Sequence, residues 1–201
     1  MSGRVGRRTS LVPWAVALGL LAGTGVAVTV VVLQHSPKIG TADLGDATDC
    51  MSQGDLDCAE ADFRAWLIKH PDDPGASSMM AISLSRDGKD KEALPYFKHA
   101  IAVGVRTYDF YETYATSLRK VGDIDDAIPM DQAALALRPS LNRIRATLAD
   151  ELASLGRGAE ALKLLQDYDK DVVANYGHPV FTAQIAKIQA EMGTAATNRT
   201  P

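Results

Sequence analysis

Leu118-Arg119-Lys120-Val121-Gly122-Asp123-Ile124-Asp125-Asp126-Ala127 reads as the end of one helix, a glycine turn and the start of another. Gly122 sits where the chain must turn, and glycine takes up the positive φ of a helix stop without strain. Asp123, Asp125 and Asp126 follow it, and the unpaired amides at a helix N-terminus favour acids. The same punctuation recurs every 34 residues in both directions. Gly54, Gly88, Gly122 and Gly156 form one column, Ala59, Ala93, Ala127 and Ala161 a second, and Ala47, Ala81, Ala115 and Ala149 a third. Leu84, Leu118 and Leu152 recur at the same interval and supply apolar knobs between paired helices. Alanines let such pairs pack closely, but one pair alone cannot bury its hydrophobic face, so the units must stack. Carried on, the period reaches Ala183 and predicts a fifth, unpaired helix over about Pro179 to Met192 as a terminal cap.

A 34-residue unit with small residues at these places resembles the tetratricopeptide repeat, over residues 42–192. The resemblance implies an all-α fold: a right-handed α-solenoid of about four helix-turn-helix repeats plus the capping helix. The remaining family columns agree in part. Where the family has an aromatic late in the second helix, this chain has Phe63, Phe97, Asp131 and Leu165; where a small residue follows, it has Trp66, Ala100, Ala134 and Tyr168. At the repeat-closing proline stand Pro71, Val105, Pro139 and Val173. Asp131 departs most and predicts a weakened packing layer. Pro95 and Pro129 share a column inside the second helix, expected near the end of its first turn, where a missing N–H costs little. The opening segment Ala42 to Met51 has few strong helix formers, so the first helix is expected to fray.

The resemblance also implies a concave groove lined by the first helix of each pair. Its inward columns correspond to Ser78, Ile82, Ser85 and Arg86 in the second unit, and to Asp109, Glu112, Thr116, Arg119 and Lys120 in the third. The fourth contributes Arg143, Ala146 and Asp150, and the cap Val180, Phe181, Gln184 and Lys187. Arg86, Arg119 and Arg143 are expected to meet carboxylates on an extended or helical segment of a partner protein, with Phe181 as an apolar anchor. The plainer reading is a solvated helix face. The groove lacks the asparagines with which some relatives clamp a chaperone's acidic C-terminus, so that activity is not implied.

Ahead of the repeats, the 23 residues from Leu11 to Leu33 carry no charge, enough for a helix to span a hydrocarbon core of about 30 Å. Arg4, Arg7 and Arg8 precede this run and only Lys38 follows closely, so the positive-inside rule places residues 1–10 in the cytoplasm and the repeats outside. A cleaved signal peptide is the competing reading, although the run is longer than the usual apolar core of one. Either way the body is exported, and the architecture suggests a bacterial inner membrane with a periplasmic repeat domain. Ala15, Gly19, Gly23 and Ala27 recur every four residues and offer a smooth face to another membrane helix, unless they merely reflect the abundance of glycine in such helices. Residues 34–41, with Pro37 and Gly40, read as a short linker that keeps the body near the membrane. Residues 193–201 read as a disordered tail.

Cys50 and Cys58 are the only cysteines, four positions before and four after Gly54, so antiparallel helices bring them opposite one another. In an oxidising compartment this pair reads as a disulfide staple; buried free thiols are the alternative. Beyond residues 1–10 the chain holds 21 − 3 = 18 basic side chains against 25 acidic ones, with no basic stripe for nucleic acid. His35, His70, His99 and His178 are scattered without ligand spacing, and no phosphate loop, nucleophile elbow or zinc-protease helix occurs. Neither enzyme, cofactor, metal nor small-molecule substrate is therefore expected. Two functional classes remain: a stoichiometric scaffold or assembly subunit binding exported or membrane proteins, and a transient chaperone-like factor such as an apocytochrome-binding cytochrome c maturation protein.

Overall fold

The computed structural model describes residues 43–197. The basic tail, the apolar run Leu11–Leu33 with its small-residue face, and the linker 34–41 lie outside the described residues. Among those described, no helix is long and apolar enough to cross a membrane. The described chain is helical: α1 Leu44–Gln53, α2 Leu56–Lys69, α3 Pro74–Arg86, α4 Asp90–Ala102, α5 Tyr108–Val121, α6 Ile124–Leu137, α7 Asn142–Ser154, α8 Gly158–Tyr176 and α9 Thr182–Thr197.

The three sequence columns have direct counterparts. Gly54, Gly88, Gly122 and Gly156 all take positive φ, between 76° and 94°. In each turn the residue after the glycine donates its amide to the carbonyl five residues before it. These bonds are Asp55 to Cys50, Lys89 to Leu84, Asp123 to Leu118 at 2.9 Å, and Arg157 to Leu152 at 2.8 Å. They satisfy carbonyls that a helix end would otherwise leave unpaired. The eight column alanines are fully buried. They bring α1 against α2, α3 against α4, α5 against α6 and α7 against α8, and each pair packs on the next.

Two core clusters run through the stack. The first extends from Ala47 in α1 to Ala127 in α6 and contains Phe63, Met80, Phe97 and Phe110. Phe97 stacks on Tyr114 at 4.8 Å between ring centroids, joining the second and third units. The second cluster extends from Tyr111 to Ile188. First helices also meet first helices directly, α3 on α5 and α7 on α9, which second helices do not do to the same extent. The stack therefore closes more tightly on the first-helix side.

Several expectations are revised. Pro95 and Pro129 fall at the sixth position of α4 and α6, not in the first turn. Each removes a true intrahelical bond, to the carbonyls of Lys91 and Asp125. Both prolines and both carbonyl residues are exposed, so water meets the freed oxygens and the helix continues. The first segment forms a ten-residue helix, capped by Asp43 accepting from the Gly45 amide at 2.8 Å.

The last unit breaks the period. Helices α3, α5 and α7 begin 34 residues apart, but α8 runs for 19 residues and α9 begins only at Thr182. The first and third units end at Pro71 and Pro139, and the second stops at Gly104 with φ 108°. Val173 supplies neither device, and the helix runs on to Gly177. Ala183 is consequently exposed instead of joining the Ala149 column. Ile188 is buried in α9, extending the column of Met80, Tyr114 and Leu148 after 40 residues. Residues 193–197, expected in a disordered tail, are helical.

Gly122 has no atom within 4 Å of where a Cβ would lie. Gly122→Ala thus isolates the backbone cost of a left-handed alanine, and urea unfolding should show a loss of about 1–2 kcal/mol.

Candidate functional site

The first-helix face of α3, α5, α7 and α9 carries most of the residues expected to line a groove. Ser78 and Ile82 are half-buried on α3; Ser78 donates to the Gly75 carbonyl at 2.9 Å and Ile82 packs on the core. Arg86, Asp109 and Thr116 are exposed, and among the described residues neither Arg86 nor Asp109 makes an ion pair. Ser85 is buried, its hydroxyl 2.8 Å from that of Ser117 and 3.2 Å from the Asp90 carboxylate. Ser85 therefore ties the second unit to the third and does not face a partner.

The expected basic row is largely consumed within the fold. Arg119 joins three elements: it donates to Asp131 on α6 and, through Nε and Nη2, to Glu151 on α7, the second contact at 2.9 Å. Its side chain is only 21% exposed, so it cannot serve as a partner-facing cation. Arg143 pairs with Glu112 across α5 and α7. Lys120 reaches Asp90 at 3.2 Å, Lys187 lies 3.4 Å from Asp150, and Gln184 donates to the Ala146 carbonyl at 2.8 Å. Charges read as a partner-binding row thus fasten neighbouring units, or the helices of one unit, to each other.

Phe181 is likewise corrected. It is buried, packing on Tyr168 with ring centroids 5.9 Å apart, and serves as core under α9 instead of a groove anchor. Its amide and that of Val180 donate to the buried Asp169 carboxylate, at 2.8 to 3.2 Å. Asp169 on α8 thereby caps the start of α9 from outside it. The long α8 and displaced α9 leave a cleft of about 530 Å³ lined by Lys170, Val173, Pro179, Ile185 and Ala186.

Asp131 occupies the aromatic column yet is almost fully buried, with Arg119 satisfying one oxygen. The expected weak layer is instead a charged layer. Burial lifts the Asp131 carboxyl to about 6, the Arg119 charge opposing this and Glu151 adding to it. Sequence reasoning missed this role for Arg119, although an acid in an apolar column requires a cation within reach. Asp169 gave no comparable signal, because its cap depends on the six-residue displacement of α9.

A disulfide joins Cys50 on α1 to Cys58 on α2, with Cα atoms 5.8 Å apart. Cys50 occupies the place held by Leu84, Leu118 and Leu152 in later turns. Among the described residues, the acids Asp57, Glu60 and Asp87 also cluster, but Lys89 lies within 2.6 to 3.5 Å of all three and already occupies the space between them with its own positive charge.

No protein-family model and no curated protein sequence matches the chain. Its fold does match solved structures. YrrB, described as a TPR protein with an unusual peptide-binding site, aligns at a TM-score of 0.59 over 78% of this chain and 75% of its own, with 21% identity. A MamA protein structure gives 0.57 over 79% and 94%, with 13% identity. Another MamA structure gives 0.57 over 63% and 69%, with 20% identity. At these identities the likeness establishes a fold like that of tetratricopeptide-repeat proteins.

Arg119→Met leaves Asp131 buried without its cation, and at pH 8 should cost on the order of 3 kcal/mol in denaturant unfolding. Glu112→Gln disturbs only the exposed Arg143 pair and should stay within about 0.5 kcal/mol. The Asp131 carboxyl ionises near 3.8 when unexceptional and near 6 in the fold, so protonation favours the folded state. Its contribution is complete below 3.8 and fades as pH rises through 6; Asp131→Asn should remove this part of the stability slope.

Proposed function

We propose that the chain is a membrane-anchored scaffold that binds exported or membrane proteins along its first-helix face. The reading combines the stacked helical pairs with the apolar run Leu11–Leu33 and the three arginines ahead of it. In this arrangement the N-terminus is cytoplasmic, and the repeat domain lies on the periplasmic side of the inner membrane. The Cys50–Cys58 disulfide fits an oxidising compartment. The chain performs no reaction in this role; it presents a surface, as helical-repeat stacks do.

The carrying observation is the exposed row Arg86, Asp109 and Thr116 on helices held in register by the Ser85–Ser117 hydrogen bond between α3 and α5 and by ion pairs between α5 and α7. Because Arg119, Lys120, Arg143 and Lys187 are already paired, the face is close to electrically balanced. It suits a peptide segment recognised by hydrogen bonds and shape, more than a strongly acidic tail. YrrB's described peptide-binding site makes such a ligand a natural one to test.

The test is a mild-detergent pull-down with the full-length chain, alongside an Arg86→Glu/Thr116→Arg variant and a chain lacking residues 1–33. The groove variant should retain its helical circular dichroism and lose the proteins that the natural sequence recovers. Equal recovery by that variant would place binding elsewhere. A few stoichiometric partners would mark an assembly subunit, and many weakly populated ones a chaperone-like factor. Loss of capture on removing 1–33 would make the membrane segment part of the binding surface as well as a tether.

A further inference from the structure

Beside the disulfide lies a buried carboxylate that no donor among the described residues meets. Asp62 is one helical turn beyond Cys58 on α2, and only 3% exposed. Among the described residues its Oδ1 has no hydrogen-bond partner, and its Oδ2 meets only the Cys58 sulfur at 3.9 Å. A disulfide sulfur carries no hydrogen, so this is a contact and not a hydrogen bond. Among the described residues the other buried acids each have a cation or amide on at least one oxygen, although Glu60 Oε1 and Asp131 Oδ1 are also unpartnered: Asp131 pairs with Arg119, Glu60 with Lys89, Asp90 with Lys120, and Asp169 accepts from two backbone amides. A buried carboxylate without a partner is costly, and a cation bound beside it would offset that cost.

The Cys50 and Cys58 sulfurs and an Asp62 oxygen all lie within 4.8 Å of one another, buried together. Cys58 and Asp62 project from the same face of α2, four residues apart, and Cys50 faces them from α1. We propose that, once the disulfide is reduced, Cys50, Cys58 and Asp62 form a divalent metal site of the zinc type. An external dithiol supplies two electrons and two protons and is itself oxidised to a disulfide, leaving two thiols in place of the S–S bond. The metal displaces both thiol protons to solvent and binds two thiolates and the Asp62 carboxylate, with water completing a tetrahedral set. The first repeat is then held by a covalent staple when oxidised and by a metal when reduced. No histidine is involved, which is why ligand-spacing rules based on histidine pairs do not find the site.

The experiment uses the full chain in detergent, with or without a phosphine reductant, and cobalt(II) as the spectroscopic probe. Reduced protein should take up one cobalt per chain, with a near-ultraviolet thiolate-to-metal band and the visible bands of tetrahedral cobalt, all abolished by zinc(II). Oxidised protein should show neither, and zinc should raise the melting temperature of the reduced form alone. Asp62→Asn should weaken cobalt affinity at least about tenfold, while the disulfide still forms under oxidising conditions. If Asp62→Asn does not fold, Cys50→Ser carries the same test. Absence of the thiolate band in reduced protein, equal uptake by oxidised protein, or undiminished affinity in Asp62→Asn would each overturn the proposal.

Discussion

The close approach of neighbouring helices governs this structure. It is possible because each crossing carries an alanine with no accessible surface, four times at one position in the first helices and four times at the matching position in the second. A larger side chain there would hold the axes apart and strip the larger knobs, Leu84, Leu118 and Leu152, of their contacts. The glycine turns are a consequence of the same constraint. Two helices this close need a short, sharp reversal, and the left-handed glycines provide it with a hydrogen bond back into the preceding turn.

That dependence explains what the sequence made legible. Columns of small residues record packing distance directly, so a 34-residue recurrence of glycine and alanine was enough to read the helix pairs and their order. Helix ends were harder, because they depend on a local stop signal that can change its chemistry from unit to unit. Pro71 and Pro139 close two units, Gly104 another, and Val173 none. The cap therefore starts six residues late, leaves Ala183 exposed and buries Ile188. A column count cannot detect such a slip unless it asks what stops each helix.

The groove was the less legible part, for an electrostatic reason. Family columns indicate which side chains emerge on the first-helix face but not whether a neighbouring unit has already engaged them. Arg119 emerges on that face, then turns inward to meet Asp131 and Glu151; Arg143 is held by Glu112 from the adjoining helix. The acid that looked like a flaw in the aromatic column and the arginine that looked like a ligand contact belong to one ion-pair layer. Both were visible in the sequence, but their partnership exists only after stacking.

The long α8 has a further meaning for assembly. A regular repeat array has no inherent terminus, since each unit offers its successor the same seat that it took from its predecessor. Here the additional turn and a half carries α9 out of phase, and Asp169 pins it there through the amides of Val180 and Phe181. A further hairpin of standard length packed on α9 would therefore sit rotated and shifted relative to the units before α8.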